Sequence, residues 1–295
     1  MEKYLNASVP IHERVEDLLE RMTLREKVGQ LNQRLLGWRA YVKRGDHRYE
    51  LTDEFKREVE RWGGLGVLYG VFRADPWSGV TWQSGIAPED SRQVTEHMQS
   101  YVTRHSRLHI PVLFSEECPH GHQALGSTIF PSNLGMASSW NPALYQAVFH
   151  EVAQELRARG GHLGLVSTLD LLRDPRWGRC EETTGEDPYL AARYTEAAVW
   201  GFEDLKPAEG SAGPGASRVT AVLKHFCAQG EASGGLNMGA ASIGPRELRE
   251  IHLPPMHAGV KAGARAVMAA YNEIDGIPCV ANAHLLTYIP RSVRL

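Results

Sequence analysis

The chain has 295 residues, 42% hydrophobic and 23% charged, with 29 Gly and 16 Pro, a composition of ordinary globular type that excludes a disordered or collagen-like chain. With 32 basic and 35 acidic side chains the formal charge is −3, so neither a basic field for nucleic acid nor an acidic tail is expected. The length fits two average domains or one α/β barrel of roughly 250 residues.

From the N-terminus, Val15, Leu18, Leu19 and Met22 follow the spacing of an amphipathic helix. Thr23 and Glu26 form a capping-box pattern that starts a second helix through Val28 and Leu31. Residues 33–50 are basic and polar and read as an exposed loop. A short helix from Thr52 to Arg61 should stop at Gly63-Gly64. Then an alternation sets in. Leu65 to Tyr69 reads as a buried strand, residues 89–107 as a helix, Pro111 to Ser115 as a strand, and Leu134 to Ser138 as a weaker one. Asn141-Pro142 opens a helix that runs to Gly160-Gly161. Gly164 to Ser167 is strand-like, Asp187-Pro188 opens the next helix, and a Gly/Ser/Pro loop occupies 206–217. Thr220 to Lys224 is a strand, Pro245 opens a helix interrupted by Pro254-Pro255, and Ala266 to Ala270 is the last strand.

Six apolar strands alternating with helices imply a mostly parallel sheet, doubly wound or closed as a (β/α)8 barrel. No GxGxxG or Walker A pattern follows the first strand, which leaves the nucleotide-binding version unsupported. A TIM-type barrel, incomplete at about six of eight strands, is the expected α/β fold.

Polar residues collect directly after the strands: Glu116 to His122 after the second, Asp170, Arg173, Asp174, Arg176 and Arg179 after the fourth, Lys224-His225 on the fifth, and Tyr271-Asn272-Glu273 after the sixth. In a barrel these strand ends form one mouth, where active sites sit. A pocket of carboxylates, cations and a phenol suits a sugar, whose hydroxyl pairs are held by charged donors and acceptors. Trp77 and Trp82 could stack on a pyranose face or simply pack their loop.

These segments resemble the N-terminal catalytic barrel of glycoside hydrolase family 3. The resemblance rests on the helix Leu19 to Gln30, on Glu117-Cys118-Pro119-His120-Gly121, on Arg173-Asp174-Pro175-Arg176-Trp177-Gly178-Arg179, on Gly185 to Tyr189, on Lys224-His225-Phe226 and on Met268 to Asn272. It covers residues 12 to about 287 in the family's order. It implies that Glu117, Arg179, Lys224 and His225 bind the non-reducing sugar, with Tyr271 near the nucleophile. Many members carry Asp where this chain has Glu117, and Glu there resembles the β-xylosidase and related β-glucosidase branch. Asp187 reads as a helix cap and Glu186 as structural, and Arg173, Asp174 and Arg176 read as loop-fixing ion pairs.

Retaining glycosidases need a nucleophilic carboxylate and an acid/base about 5–5.5 Å apart. By the resemblance the nucleophile is an Asp on the next barrel strand. Ala281 to Thr287 fits the approach to that segment, but Tyr288 to Leu295 departs from it. The second domain, which carries the acid/base in most members, is not found in the 295 residues. The N-acetylglucosaminidase branch uses instead a His after the fifth strand, and Gln229 stands there. The expectation is therefore a member of a lineage that hydrolyses terminal β-linked glucose or xylose with retention, in a chain that contains no catalytic residue itself. The alternative is a non-catalytic sugar-binding fragment or pseudoenzyme.

A metal-dependent barrel hydrolase is a weaker rival. His120, His122, Lys224, His225 and His257 could supply a site, but such enzymes also need an Asp near the last strand, and His150-Glu151-Val152-Ala153-Gln154 misses HExxH at its final residue. No cofactor and no metal are expected. Cys118, Cys180, Cys227 and Cys279 contain no CxxC and suit a reducing compartment. The segment Met1 to Asn6 lacks the apolar core of a signal peptide, and no run of 18 apolar residues offers a membrane span. The expected location is the cytoplasm, with a carbohydrate as partner, no nucleic acid or membrane, and self-association through open barrel edges.

Overall fold

The structure, a computed structural model, describes residues 2–205 and 219–292; the loop expected at 206–217 lies outside the described residues. The chain divides into two compact units, Met1–Ser115 and Glu116–Leu295.

In the first unit, helix α1 spans Ile11–Arg21 and buries none of its residues. Helix α2, Leu24–Leu31, begins with the full capping box: Glu26 N donates to Thr23 Oγ1 and Thr23 N donates to the Glu26 carboxylate at 2.8 Å. Arg107 Nη2 reaches the same carboxylate at 2.7 Å. The expected loop at 33–50 contains instead an antiparallel hairpin, β1 Tyr41–Gly45 with β2 Arg48–Leu51. Tyr41 and Leu51 face each other and are buried, and Tyr41 meets the Tyr49 ring edge-on at 5.9 Å. The charges between them hid this short apolar alternation. Helix α3, Asp53–Trp62, is capped by Thr52. Strand β3, Val67–Tyr69, helix α4, Ser91–Arg104, and strand β4, Leu113–Glu117, follow. β3 and β4 are parallel, with Val67 opposite Leu113 and Tyr69 opposite Ser115. Trp77 and Trp82 are 63% and 55% exposed; Trp77 packs edge-on against Trp38 and carries the Arg73 guanidinium 4.4 Å above its ring.

The second unit begins within β4. The weak strand expected at Leu134–Ser138 is a short helix, α5, Asn133–Ala137, capped by Ser132. Its first residue explains the error. Asn133 is fully buried, and its amide donates to the Ser167 and Glu182 carbonyls at 2.8 Å each, long-range bonds that override a β-like local pattern. Helix α6, Pro142–Ala158, starts at the Asn141 cap, and strand β5 is Leu163–Ser167. Helix α7, Pro188–Phe202, starts at Asp187, whose carboxylate accepts from Leu190 N at 2.6 Å. Strand β6, Thr220–Phe226, is followed by a two-residue strand β7, Ala240–Ala241. The helix after Pro245 has three parts: α8, Pro245–Glu247, a π-helical turn Leu248–His252, and α9, Pro254–Ala262. Strand β8 is Ala266–Ala269, and β9, Glu273–Ile274, and β10, Ile277–Pro278, form with β7 a small sheet.

The main sheet has five parallel strands in the order β3-β4-β5-β6-β8, the sequential adjacency of a (β/α)8 barrel. The fold is accordingly an incomplete barrel of this type. β5 and β6 are in register from Leu163–Thr220 to Ser167–Lys224. Behind these strands Tyr145 and Phe149 of α6 pack with Tyr194 and Phe202 of α7. The two helices approach closely at Gly201, where a Cβ would sit 2.2 Å from the Gln146 carbonyl oxygen.

Candidate active site

The site lies in the second unit, at the C-terminal ends of β4, β5 and β6. Side chains alternate along a strand, but at these ends whole runs are buried: the last four residues of β4 and the last four of β6. Buried charges must be paired, and they are. Lys224, only 3% exposed, places Nζ 2.7 Å from Glu117 Oε2 and 3.6 Å from Glu182 Oε2.

Glu182 is the hub. It closes the 3-10 turn Cys180–Glu182 and receives a two-pronged contact from Arg179, Nε to Oε1 at 2.7 Å and Nη2 to Oε2 at 2.9 Å. Ser167 Oγ donates to the same carboxylate at 2.9 Å. Burial pushes the Glu182 carboxyl up, but the hydrogen bonds from Arg179, the Lys224 charge and Ser167 together hold it at about 2. Burial likewise works against the Arg179 charge, and the Glu182 carboxylate outweighs it, raising the guanidinium above its usual range.

From Arg179 the network continues outward. Its Nη1 donates to the Tyr271 hydroxyl at 2.5 Å, and its Nη2 lies 3.3 Å from His225 Nε2. His225 Nδ1 stands 2.6 Å from Asp170 Oδ2, and the His225 backbone N donates to the same oxygen at 3.3 Å. A carboxylate only accepts, so this contact assigns the ring proton to Nδ1 and leaves Nε2 as an acceptor facing Arg179. Asn237 Nδ2 donates to Tyr271 OH at 3.3 Å, while its own Oδ1 accepts from Trp177 Nε1 and Gln229 Nε2. Tyr271 is 40% exposed and forms the solvent-facing edge.

The structure thus brings Glu117, Arg179, Lys224, His225 and Tyr271 into one connected set. Of the residues that join them, Asp170 belongs to the polar cluster expected after the fourth strand, though with no role of its own, and Glu182 was not singled out from the sequence. Glu182 stands three residues after Arg179, a spacing that could have flagged a local ion pair. Asn237 carried no signal. Around the site, Arg176 pairs with Asp174 at 2.6 Å and lowers its carboxyl to about 2, and Arg173 pairs with Glu231 at 3.1 Å. The histidines of the metal-hydrolase reading do not assemble. His120 Nδ1 contacts the Phe130 carbonyl, His225 is engaged by Asp170, and among the described residues the group close enough to share an ion is a different one, Glu231, Glu247 and His252.

A parallel-strand α/β fold with carboxylates and cations converging at its strand ends is of the (β/α)8-barrel class, whose sites sit at that end of the sheet. The profile of the glycosyl hydrolase family 3 N-terminal domain matches residues 23–293, and the chain belongs to this family. A putative β-xylosidase of Formosa agariphila is 33% identical over 290 residues, 98% of this chain and 36% of that protein. A periplasmic β-glucosidase of Salmonella typhimurium is 31% identical over 94% of this chain and 31% of its own length. Among solved structures, a β-glucosidase of Erythrobacter marinus superimposes with a TM-score of 0.81 at 33% identity, covering 98% of this chain and 36% of that one. A Listeria innocua β-glucosidase in complex with glucose gives a TM-score of 0.75 at 29% identity, over 96% of this chain and 36% of that one. The chain therefore spans about a third of the length of the relatives it matches.

Proposed function

We propose that Glu117, Arg179, Lys224, His225 and Tyr271 form the subsite for the terminal sugar of a β-linked glucoside or xyloside, in an enzyme lineage that hydrolyses it with retention. The observation that carries this reading is the buried Lys224–Glu117 pair joined through Glu182 to Arg179 and His225. It places fixed donors and acceptors side by side, as recognition of vicinal hydroxyls requires. The names of the β-xylosidase and β-glucosidase relatives support the sugar class.

The same geometry supports binding without cleavage by these residues alone. Glu117 is held by Lys224, Glu182 by Arg179, and Asp170 by His225. A nucleophile must be free to attack the anomeric carbon with a second carboxyl about 5–5.5 Å away, and carboxylates bound this way serve positioning instead. We assign the nucleophile and acid/base to segments outside these 295 residues. β8 has a neighbour, β6, on one side among the described residues, and we propose that its other edge pairs with a second copy when the chain is alone.

Calorimetric titration of the purified chain with glucose and with xylose tests binding, and aryl β-glucosides and β-xylosides test turnover. Saturable binding of either sugar without hydrolysis is expected. Turnover near ordinary enzyme rates of about 1–1000 per second that Glu117→Gln abolishes would refute the non-catalytic assignment. Absence of binding in a folded chain would refute the subsite.

A further inference from the structure

Outside the proposed sugar subsite, three side chains from two segments converge, one of them the Glu231 that pairs with Arg173. Glu231 ends the 3-10 turn Gln229–Glu231 that follows β6, Glu247 ends α8, and His252 ends the π-helical turn. One ligand atom from each lies within 4.8 Å of the others. His252 is only 3% exposed, and its Nε2 is buried with no hydrogen-bond partner. That nitrogen points at Glu231 Oε2 from 3.5 Å.

We propose that Glu231, Glu247 and His252 bind a divalent transition-metal ion, Zn2+, that staples the turn after β6 to the start of the α8–α9 segment. The spacing carries the argument. At 3.5 Å the His252–Glu231 contact is too long for a good hydrogen bond. It matches the roughly 3.3 Å that separates two ligands of a tetrahedral zinc whose bonds are about 2.0–2.1 Å. The backbone is shaped to bring the other pair together. Glu247 and His252 are five residues apart, which in an α-helix of 3.6 residues per turn would set them about 140° apart. Here the turn is widened by an i→i+5 bond, Leu253 N to the Leu248 carbonyl at 3.0 Å, and a turn of that width stacks residues five apart; such π segments recur at functional sites.

The donor set selects the ion. One imidazole and two carboxylates suit a borderline cation with a fourth position for water, whereas Ca2+ and Mg2+ prefer six or more oxygens. Arg173 Nε donates to Glu231 Oε2 at 3.1 Å and so orients a ligating carboxylate, the supporting contact that metal-bound carboxylates commonly have. The turn so fixed bears Gln229, which holds Asn237 at 3.2 Å. Gly230 seats it, since a Cβ there would lie 2.1 Å from the Leu171 carbonyl oxygen.

The test uses the whole chain, stripped with chelator and titrated with Zn2+, Ca2+ and Mg2+ by calorimetry, with metal content read by mass spectrometry and melting followed in parallel. The expected result is one Zn2+ per chain at micromolar or tighter affinity, a rise in melting temperature on adding Zn2+, and neither effect with Ca2+ or Mg2+ at equal concentration. Glu247→Gln, on a half-buried helix end that tolerates the change, should weaken Zn2+ binding at least about tenfold while leaving glucose and xylose titrations unchanged. His252→Ala should abolish binding if it folds. No zinc uptake by the folded chain, equal affinity in Glu247→Gln and the unsubstituted protein, or a preference for Ca2+ would each overturn the assignment.

Discussion

Replacing Glu182 with Gln keeps the shape of the hub and removes its charge. In the folded chain its carboxyl sits at about 2 against an ordinary 4.5; that difference, at about 1.4 kcal/mol per pH unit, makes the ionised form worth about 3 kcal/mol to the folded state. The sign follows from the direction: a lowered carboxyl adds stability that is fully present above about pH 4.5 and drains away as the pH falls through about 2. The substitution also leaves the half-buried Arg179 without its two-pronged partner, the same interaction seen from the cation's side rather than a second contribution. Urea unfolding of both proteins at pH 7, 5, 4 and 3 should therefore show Glu182→Gln destabilised by about 3 kcal/mol at pH 7, with the gap narrowing below pH 4.5 as the unsubstituted protein loses its advantage. A gap under about 0.5 kcal/mol at pH 7, or one that stays constant down to pH 3, would refute the role of Glu182 as the charge-compensated centre of the site.

Arg179→Ala and Lys224→Ala should each weaken glucose or xylose binding by about 1.5–3 kcal/mol, the range for hydrogen bonds to charged groups; unchanged calorimetric affinity in both variants would remove them from the subsite. Gly201→Ala should destabilise the chain by about 1–3 kcal/mol, because its Cβ would lie 2.2 Å from the Gln146 carbonyl oxygen; a denaturation midpoint equal to that of the unsubstituted protein would show that α6 and α7 can part without cost. Val267 on β8 is 39% exposed, unusual for a parallel strand, and Val267→Lys should reduce self-association in sedimentation velocity. A chain that is already monomeric, binds no hydrophobic dye and melts cooperatively above about 65 °C, the top of the usual mesophile range, would contradict the open-edge reading.

Much of the fold was legible from residues that act on their own neighbours. The Thr23–Glu26 box, the Thr52, Asn141 and Asp187 caps and the glycines at 63 and 160 end or begin helices where expected, because a cap satisfies backbone donors within four residues of itself. The apolar runs of β4 to β6 declared themselves for a similar reason: a strand buried on both faces needs no partner to be recognised as apolar, and β3 and β8, less buried, were legible from their apolar composition alone. The candidate site was legible as a polar cluster at the strand ends, where Glu117, Lys224 and His225 close apolar runs, and in the Arg173–Arg179 block that resembles the family.

What required the tertiary structure is what depends on distant partners. Asn133 makes a helix of an apparent strand because Ser167 and Glu182 supply its hydrogen bonds from 34 and 49 residues away. The hairpin at 41–51 exists because Tyr41 and Leu51 find a common buried face, although the charges between them dominate the local composition. Lys224 meets Glu117 across 107 residues, and Glu182, which looks like an ordinary loop acid beside Arg179, becomes the shared anion of the buried Lys224 and the half-buried Arg179. The π-helical turn that stacks Glu247 and His252 likewise leaves no mark in the local sequence. Short-range hydrogen bonds and hydrophobic runs are written along the chain, while the pairing of buried charges is decided when folding removes water and brings each charge to the partner that compensates it.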